Sequence, residues 1–100
     1  MIKHPKKLLV IITEASLENA LAEQVKALGA QGYTVHHVRG EGSTGAREGT
    51  WEADRTIEMK VICDEAVADQ IAQTVLARYG ANYALTLFFS DVAVLRASKY

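Results

Sequence analysis

Two kinds of apolar pattern follow one another along the chain, and each occurs twice. Leu8-Leu9-Val10-Ile11-Ile12 runs without a polar interruption inside Lys7–Thr13, and so short and β-branched a run predicts a strand. Thr13 or Ser16 then offers an oxygen to the free amides of a helix start. Leu17, Leu21, Val25 and Leu28 recur at spacings of four, four and three, while Glu18, Glu23 and Lys26 fall elsewhere, so one stripe of this helix faces a core. Gly29 and Gly32 end it. Tyr33–Val38, β-branched and aromatic, predicts a second strand. Residues 39–55 hold four glycines within ten positions and no apolar period, which predicts a long loop. Ile57, Met59, Val61 and Cys63 then alternate with Thr56, Glu58, Lys60 and Ile62 at the strand period of two. Val67, Ile71, Val75 and Tyr79 mark one face of a second helix, Gly80 and Asn82 close it, and Tyr83–Phe89 predicts the fourth strand.

An offset of 50 sets Leu17 on Val67, Leu21 on Ile71, Val25 on Val75 and Tyr33 on Tyr83, with identical residues at Ile12/Ile62, Ala22/Ala72 and Ala27/Ala77. The chain reads as a doubled βαβ unit. Right-handed crossovers place both helices on one face of a four-stranded antiparallel sheet, an α+β, ferredoxin-like βαββαβ domain spanning residues 1–100, with the loop at about 39–55. One sheet face then lacks helices, yet Leu8–Ile12 is apolar at every position and Leu87–Phe89 is apolar on both sides. At about 25 cal/mol per Å², leaving these side chains wet forgoes several kcal/mol. The pattern therefore predicts self-association through the bare face, most simply as a closed ring.

Composition narrows the classes. Eleven Lys plus Arg against 12 Asp plus Glu give a net charge of −1, with no field to attract nucleic acid or an acidic membrane. No apolar run approaches the roughly 18 residues of a membrane span, and the first residues lack a signal-peptide pattern, so a cytoplasmic protein is expected. Cys63 alone supports neither an internal disulfide nor a cysteine-based zinc site; placed between the third strand and second helix, it reads as a buried structural thiol.

Candidate chemistry concentrates in the loop. Gly40-Glu41-Gly42-Ser43-Thr44-Gly45 matches a dinucleotide fingerprint literally, but Ala46-Arg47-Glu48-Gly49-Thr50 continues the loop where that fold requires a helix. A more general capacity survives. Consecutive amides free to turn can form an anion nest, Ser43 and Thr44 can donate, and Arg39 and Arg47 add fixed positive charge suited to phosphate. Consecutive His36 and His37 point to opposite faces of a strand and cannot share a metal within one chain. Asp64-Glu65 suits a helix N-terminus, and Trp51 is a large ring in a polar loop. No nucleophile–base or paired-carboxylate spacing supports catalysis, so no enzyme is expected.

Gly32-Tyr33-Thr34-Val35, leading through Val38-Arg39 into Gly40-Glu41-Gly42, resembles the PII signal-transduction family, as does Asp91-Val92-Ala93 followed by Val94-Leu95-Arg96. In element order, length and loop position the resemblance covers essentially the whole chain. It implies a trimer of ferredoxin-like subunits with adenine nucleotide in clefts between neighbours. Arg39, Gly40, Glu41, Gly42, Ser43, Thr44 and Gly45 at the base of the long T-loop would wrap phosphates; Thr34 would lie near the adenine; Arg96 would approach from an adjoining subunit. Typical members carry a phosphate-binding lysine in a glycine-rich loop before the fourth strand. Here Tyr79-Gly80-Ala81-Asn82-Tyr83 is short and Thr86 stands where that lysine is expected, which weighs against triphosphate. The loop also lacks a tyrosine for uridylylation. In these departures the chain resembles the divergent carboxysome-associated and SbtB-type PII-like proteins. That implies ADP or AMP as ligand, with ATP, cyclic AMP and bicarbonate as further candidates, and Arg47 as a phosphate grip. It also implies no obligatory cofactor and a bicarbonate transporter or carbon-fixation protein as regulatory target. A CutA-like trimer with a metal-binding or structural role is the alternative, and an acylphosphatase-type enzyme a third, although no glycine lies in Thr13-Glu14-Ala15-Ser16 where its phosphate loop is expected.

Overall fold

The computed structural model describes residues 1–40 and 55–100. In chain order it contains β1 (His4–Glu14), a 3-10 turn (Ala15–Leu17), α1 (Glu18–Ala27), β2 (Thr34–Val38), β3 (Thr56–Cys63), α2 (Glu65–Tyr79), β4 (Leu85–Val94) and a second 3-10 turn (Ala97–Lys99). The strands form one antiparallel sheet in the order β2-β3-β1-β4. This is the ferredoxin-like arrangement expected from the doubled βαβ pattern.

Alternation along the strands decides which side chains meet the helices. Leu9 and Ile11 of β1 stand beside Val61 and Met59 of β3, and these four join Leu21 and Val25 of α1 and Ala68, Ile71, Ala72 and Val75 of α2 in one core. In β3 the buried residues are Ile57, Met59, Val61 and Cys63, the odd-numbered set of the alternation. Both helices therefore cover the odd-numbered face. Of the expected second-helix stripe, Ile71 and Val75 are fully buried while Val67 and Tyr79 pack at its margin, and Ala68 and Ala72 complete the contact.

The end of α1 shows why Gly29 is there. The Ala30 amide donates to the Val25 carbonyl and the Gly29 amide to that of Lys26, the paired bonds of a Schellman cap, and Gly29 takes φ +115°. A side chain at that φ is strained, and the Val67 methyls lie 3.5 and 3.8 Å from where a Cβ would stand.

Three expectations need correction. Neither Thr13 nor Ser16 caps the first helix: Glu14 precedes the 3-10 turn, no side chain caps it, and Thr13 is fully buried, its hydroxyl donating to the Ala84 carbonyl at 2.6 Å. A hydroxyl shut in the core must find a buried acceptor, and the turn before β4 supplies one. The fourth strand begins at Leu85 rather than Tyr83 and continues past Phe89 to Val94. It does so because β1 starts at His4, giving β4 ten successive partners from Thr13↔Leu85 to His4↔Val94. Asp91 is held within that strand by Lys7, the residue opposite it.

Even-numbered residues line the other sheet face, which no helix among the described residues covers. Leu8, Val10 and Ile12 of β1 lie beside Ile62 of β3 and Phe88 of β4, while Thr34, His36, Glu58 and Lys60 make its β2 side polar. Phe88 is 47% exposed, whereas Val10, flanked by Lys60 and Phe88, is only 3% exposed within the single chain.

Candidate nucleotide site

The loop expected to carry the chemistry departs from one end of the sheet. There Val38, Thr56 and Glu14 form a cross-strand row, and Arg39 and Gly40 follow directly, both exposed. The row is closed from beneath by the Ala15 amide, which donates to the Arg55 carbonyl at 3.0 Å. On its other flank the turn between α2 and β4 is tied down twice: the Thr13 hydroxyl donates to the Ala84 carbonyl, and the Ala84 amide donates to Glu14 Oε2 at 3.2 Å. Tyr79 and Tyr83 meet edge to face across that turn, their ring centres 5.8 Å apart. A hydrogen-bonded platform thus stands at the loop's root, built from four different elements.

Thr34 sits at the opposite end of β2 from Arg39, on the uncovered face beside Lys60. Four strand steps separate it from Val38, about 13 Å. Between them His36 Nε2 lies 3.7 Å from Glu58 Oε1, and Lys60 Nζ is 3.4 Å from the same oxygen. His37 pairs with Ile57 and points to the other side of the sheet, so the two histidines are divided as their adjacency in a strand requires. Among the described residues no three His, Cys, Asp or Glu side chains are grouped as metal ligands.

Arg96 is exposed and begins the C-terminal 3-10 turn, where it lines a shallow depression with Val94, Leu95, Lys99 and Tyr100. It follows Val94, the partner of His4, whereas the loop root adjoins Leu85, the partner of Thr13. Nine strand steps separate the two, about 30 Å. One chain therefore does not bring Arg39 and Arg96 together. Glu41, Gly42, Ser43, Thr44, Gly45 and Arg47, and Trp51 with them, lie outside the described residues.

Around the start of α2 the charges are paired. Lys6 Nζ is 2.6 Å from Asp64, and Lys7 holds Asp91 with Glu65 at 4.0 Å. The hydrogen bond to Asp91 raises the Lys7 pKa above its ordinary 10.5. Asp64 and Glu65 lie at the helix N-terminus, as their sequence position suggests, but Asp64 makes no capping hydrogen bond. Cys63 is buried as expected, and that burial, with the Asp64 charge second, raises its thiol above the ordinary 9.0. Sequence reasoning missed Glu14: its tie to Ala84 joins residues 70 apart, and only the strand register reveals it.

Residues 6–99 match the family model described as nitrogen regulatory protein P-II. A candidate PII-like signaling protein from Thermus thermophilus is 42% identical, with a TM-score of 0.86 over 100% of this chain and 99% of that one. CPII of Thiomonas intermedia bound to ADP, AMP and acetate gives 20% identity and a TM-score of 0.83, covering 100% and 98% of the two chains. The same protein bound to ADP and bicarbonate gives 24% identity and a TM-score of 0.84, covering 98% and 96%. The match favours the first of the three functional expectations over the CutA-like and acylphosphatase-type ones. With its element order, sheet topology and loop position all accounted for, the chain belongs to the P-II family of regulatory proteins and resembles its PII-like members.

Proposed function

We propose that this protein is a cytoplasmic, non-enzymatic regulator that senses ADP or AMP at the seams of a homotrimer. The observation that carries this reading is the placement of the loop-root cation Arg39 and of Gly40 at one end of a sheet whose uncovered face is apolar along β1 and β4. A phosphate gripped there lies beside the surface that needs a second chain. The length of β4, about 30 Å, that separates the loop end of the sheet from Arg96 fits a site assembled from two chains, with the second supplying its C-terminal segment. CPII supplies the ligand class, since its structures hold ADP, AMP and bicarbonate.

In this reading Arg39, Gly40, Glu41, Gly42, Ser43, Thr44, Gly45 and Arg47 enclose the phosphates, Thr34 lies near the base, and Arg96 reaches across from the neighbour. Backbone amides and guanidinium groups are suited to charge-assisted, bidentate contact with phosphate. Ligand binding favours one loop conformation, and that conformation docks on or releases a target: a bicarbonate-type transporter in the membrane or a carbon-fixation protein. Cyclic AMP, ATP and bicarbonate are further ligands to be tried. Isothermal titration of the purified protein with ADP, AMP, cyclic AMP and ATP tests this reading. Saturable heat with ADP or AMP is expected; no heat with any of the four contradicts it.

A further inference from the structure

The uncovered face changes character from strand to strand. Along β1 and β4 it presents Leu8, Val10, Ile12 and Phe88. Along β2 and β3 three cross-strand pairs follow one another from the loop end instead: Val38 with Thr56, His36 with Glu58, and Thr34 with Lys60. Successive pairs on this face stand about 7 Å apart. We propose that Glu58 is the ribose-recognising residue of the nucleotide site, its carboxylate accepting hydrogen bonds from the 2′ and 3′ hydroxyls. The inference rests on the nucleotide reading above and specifies its ligand class, a ribonucleotide with both of those hydroxyls free.

Position comes first. Arg39 follows Val38 directly, so a phosphate held by its guanidinium stands at the loop end of the polar strip. In that reading a second chain takes the apolar part of the face, which leaves the strip along β2 for the rest of the ligand. The sugar is bonded directly to the phosphate in any nucleotide. It is therefore carried over the next row along, that of His36 and Glu58, before the base reaches Thr34.

The chemistry of the row suits a sugar. The Glu58 side chain is only 20% exposed even in the single chain, and Lys60 Nζ and His36 Nε2 approach its Oε1 at 3.4 and 3.7 Å. These are ion-pair separations, too long for well-formed hydrogen bonds. The carboxylate is thus steadied while its lone pairs stay open to better donors. Two vicinal hydroxyls match its two oxygens, and hydrogen bonds to an ionised acceptor are the strong ones. A carboxylate on ribose hydroxyls is also the solution that dinucleotide-binding folds use. The Lys60 ammonium offsets the charge of the acid, so Glu58 does not oppose the phosphates farther along the strip.

The test titrates the protein and its Glu58→Ala and Glu58→Gln variants calorimetrically with ADP, 2′-deoxy-ADP and 3′-deoxy-ADP. The parent is expected to bind ADP about tenfold more tightly than either deoxy ligand, because a site built to pair a hydroxyl rejects the analogue without it. Glu58→Ala is expected to bring both ratios close to one, chiefly by weakening ADP. Glu58→Gln, which keeps the length and one carbonyl acceptor, is expected to retain part of the discrimination. A parent that binds the deoxy ligands as tightly as ADP overturns the proposal. So does a Glu58→Ala variant in which all three ligands weaken equally and the ratios stay intact, since that marks a structural role for the ion pairs. Absence of ADP binding by the parent defeats the underlying nucleotide reading, a result distinct from these.

Discussion

Thr13 carries a hydroxyl into a place where only apolar groups are otherwise found, and it holds the turn before β4 by donating to Ala84 at 2.6 Å. Thr13→Val keeps the shape and leaves the carbonyl without its donor, so unfolding in urea is expected to show a loss of about 1–2 kcal/mol, with Thr13→Ser losing less. Cys63 gives a pH dependence. Burial and then Asp64 raise its folded pKa above 9.0, with Lys6 opposing, so the unfolded chain releases this proton first. Stability is therefore complete below that value and declines as pH rises past it. Thermal unfolding followed from about pH 8 to 10 is expected to show a falling midpoint that Cys63→Ala largely removes. The raised Lys7 value acts in the same direction, but only above 10.5. At this scale the sequence was partly legible. Cys63 announced its burial through alternation, whereas the roles of Thr13 and Glu14 depend on Ala84, 70 and more residues away.

Helix α2 holds the two halves of the molecule together, because Ile71 and Val75 reach the same core as Leu9, Ile11 and Met59. Ile71→Ala removes a fully buried branched side chain and opens a cavity, so a loss of about 2–5 kcal/mol is expected in denaturant titration, with the slope unchanged. Element type was legible here since periods of two and of about 3.6 are physically distinct, as β3 and α2 show. Element ends were not. Phe89 closes the last apolar run in sequence, but pairing with His4–Leu8 carries β4 five residues further, and the charged Lys7–Asp91 pair sits within the ladder rather than ending it. Ser16 and Thr13 looked like helix caps by residue type alone; burial gave Thr13 a different partner, and the 3-10 turn from Ala15 took up the entry.

At the scale of the molecule, the described residues form a sheet covered on one side only, with Phe88 of β4 exposed opposite Val10 and with Arg39 at its margin. That the bare face follows from the sequence is a consequence of counting: two βαβ units supply two helices, and both crossovers have the same hand. The seam between chains was less legible, because the two arginines it is proposed to join, Arg39 and Arg96, lie at opposite ends of a single protomer and their meeting depends on symmetry. Burial of the bare face and completion of the ligand site are one event in this account. Native mass spectrometry with added ADP or AMP reads both at once. A species of three times the 10.9 kDa chain mass that carries up to three nucleotides is expected, with lone chains carrying none. Nucleotide retained by single chains, or trimers that stay bare at saturating ADP and AMP, would contradict it.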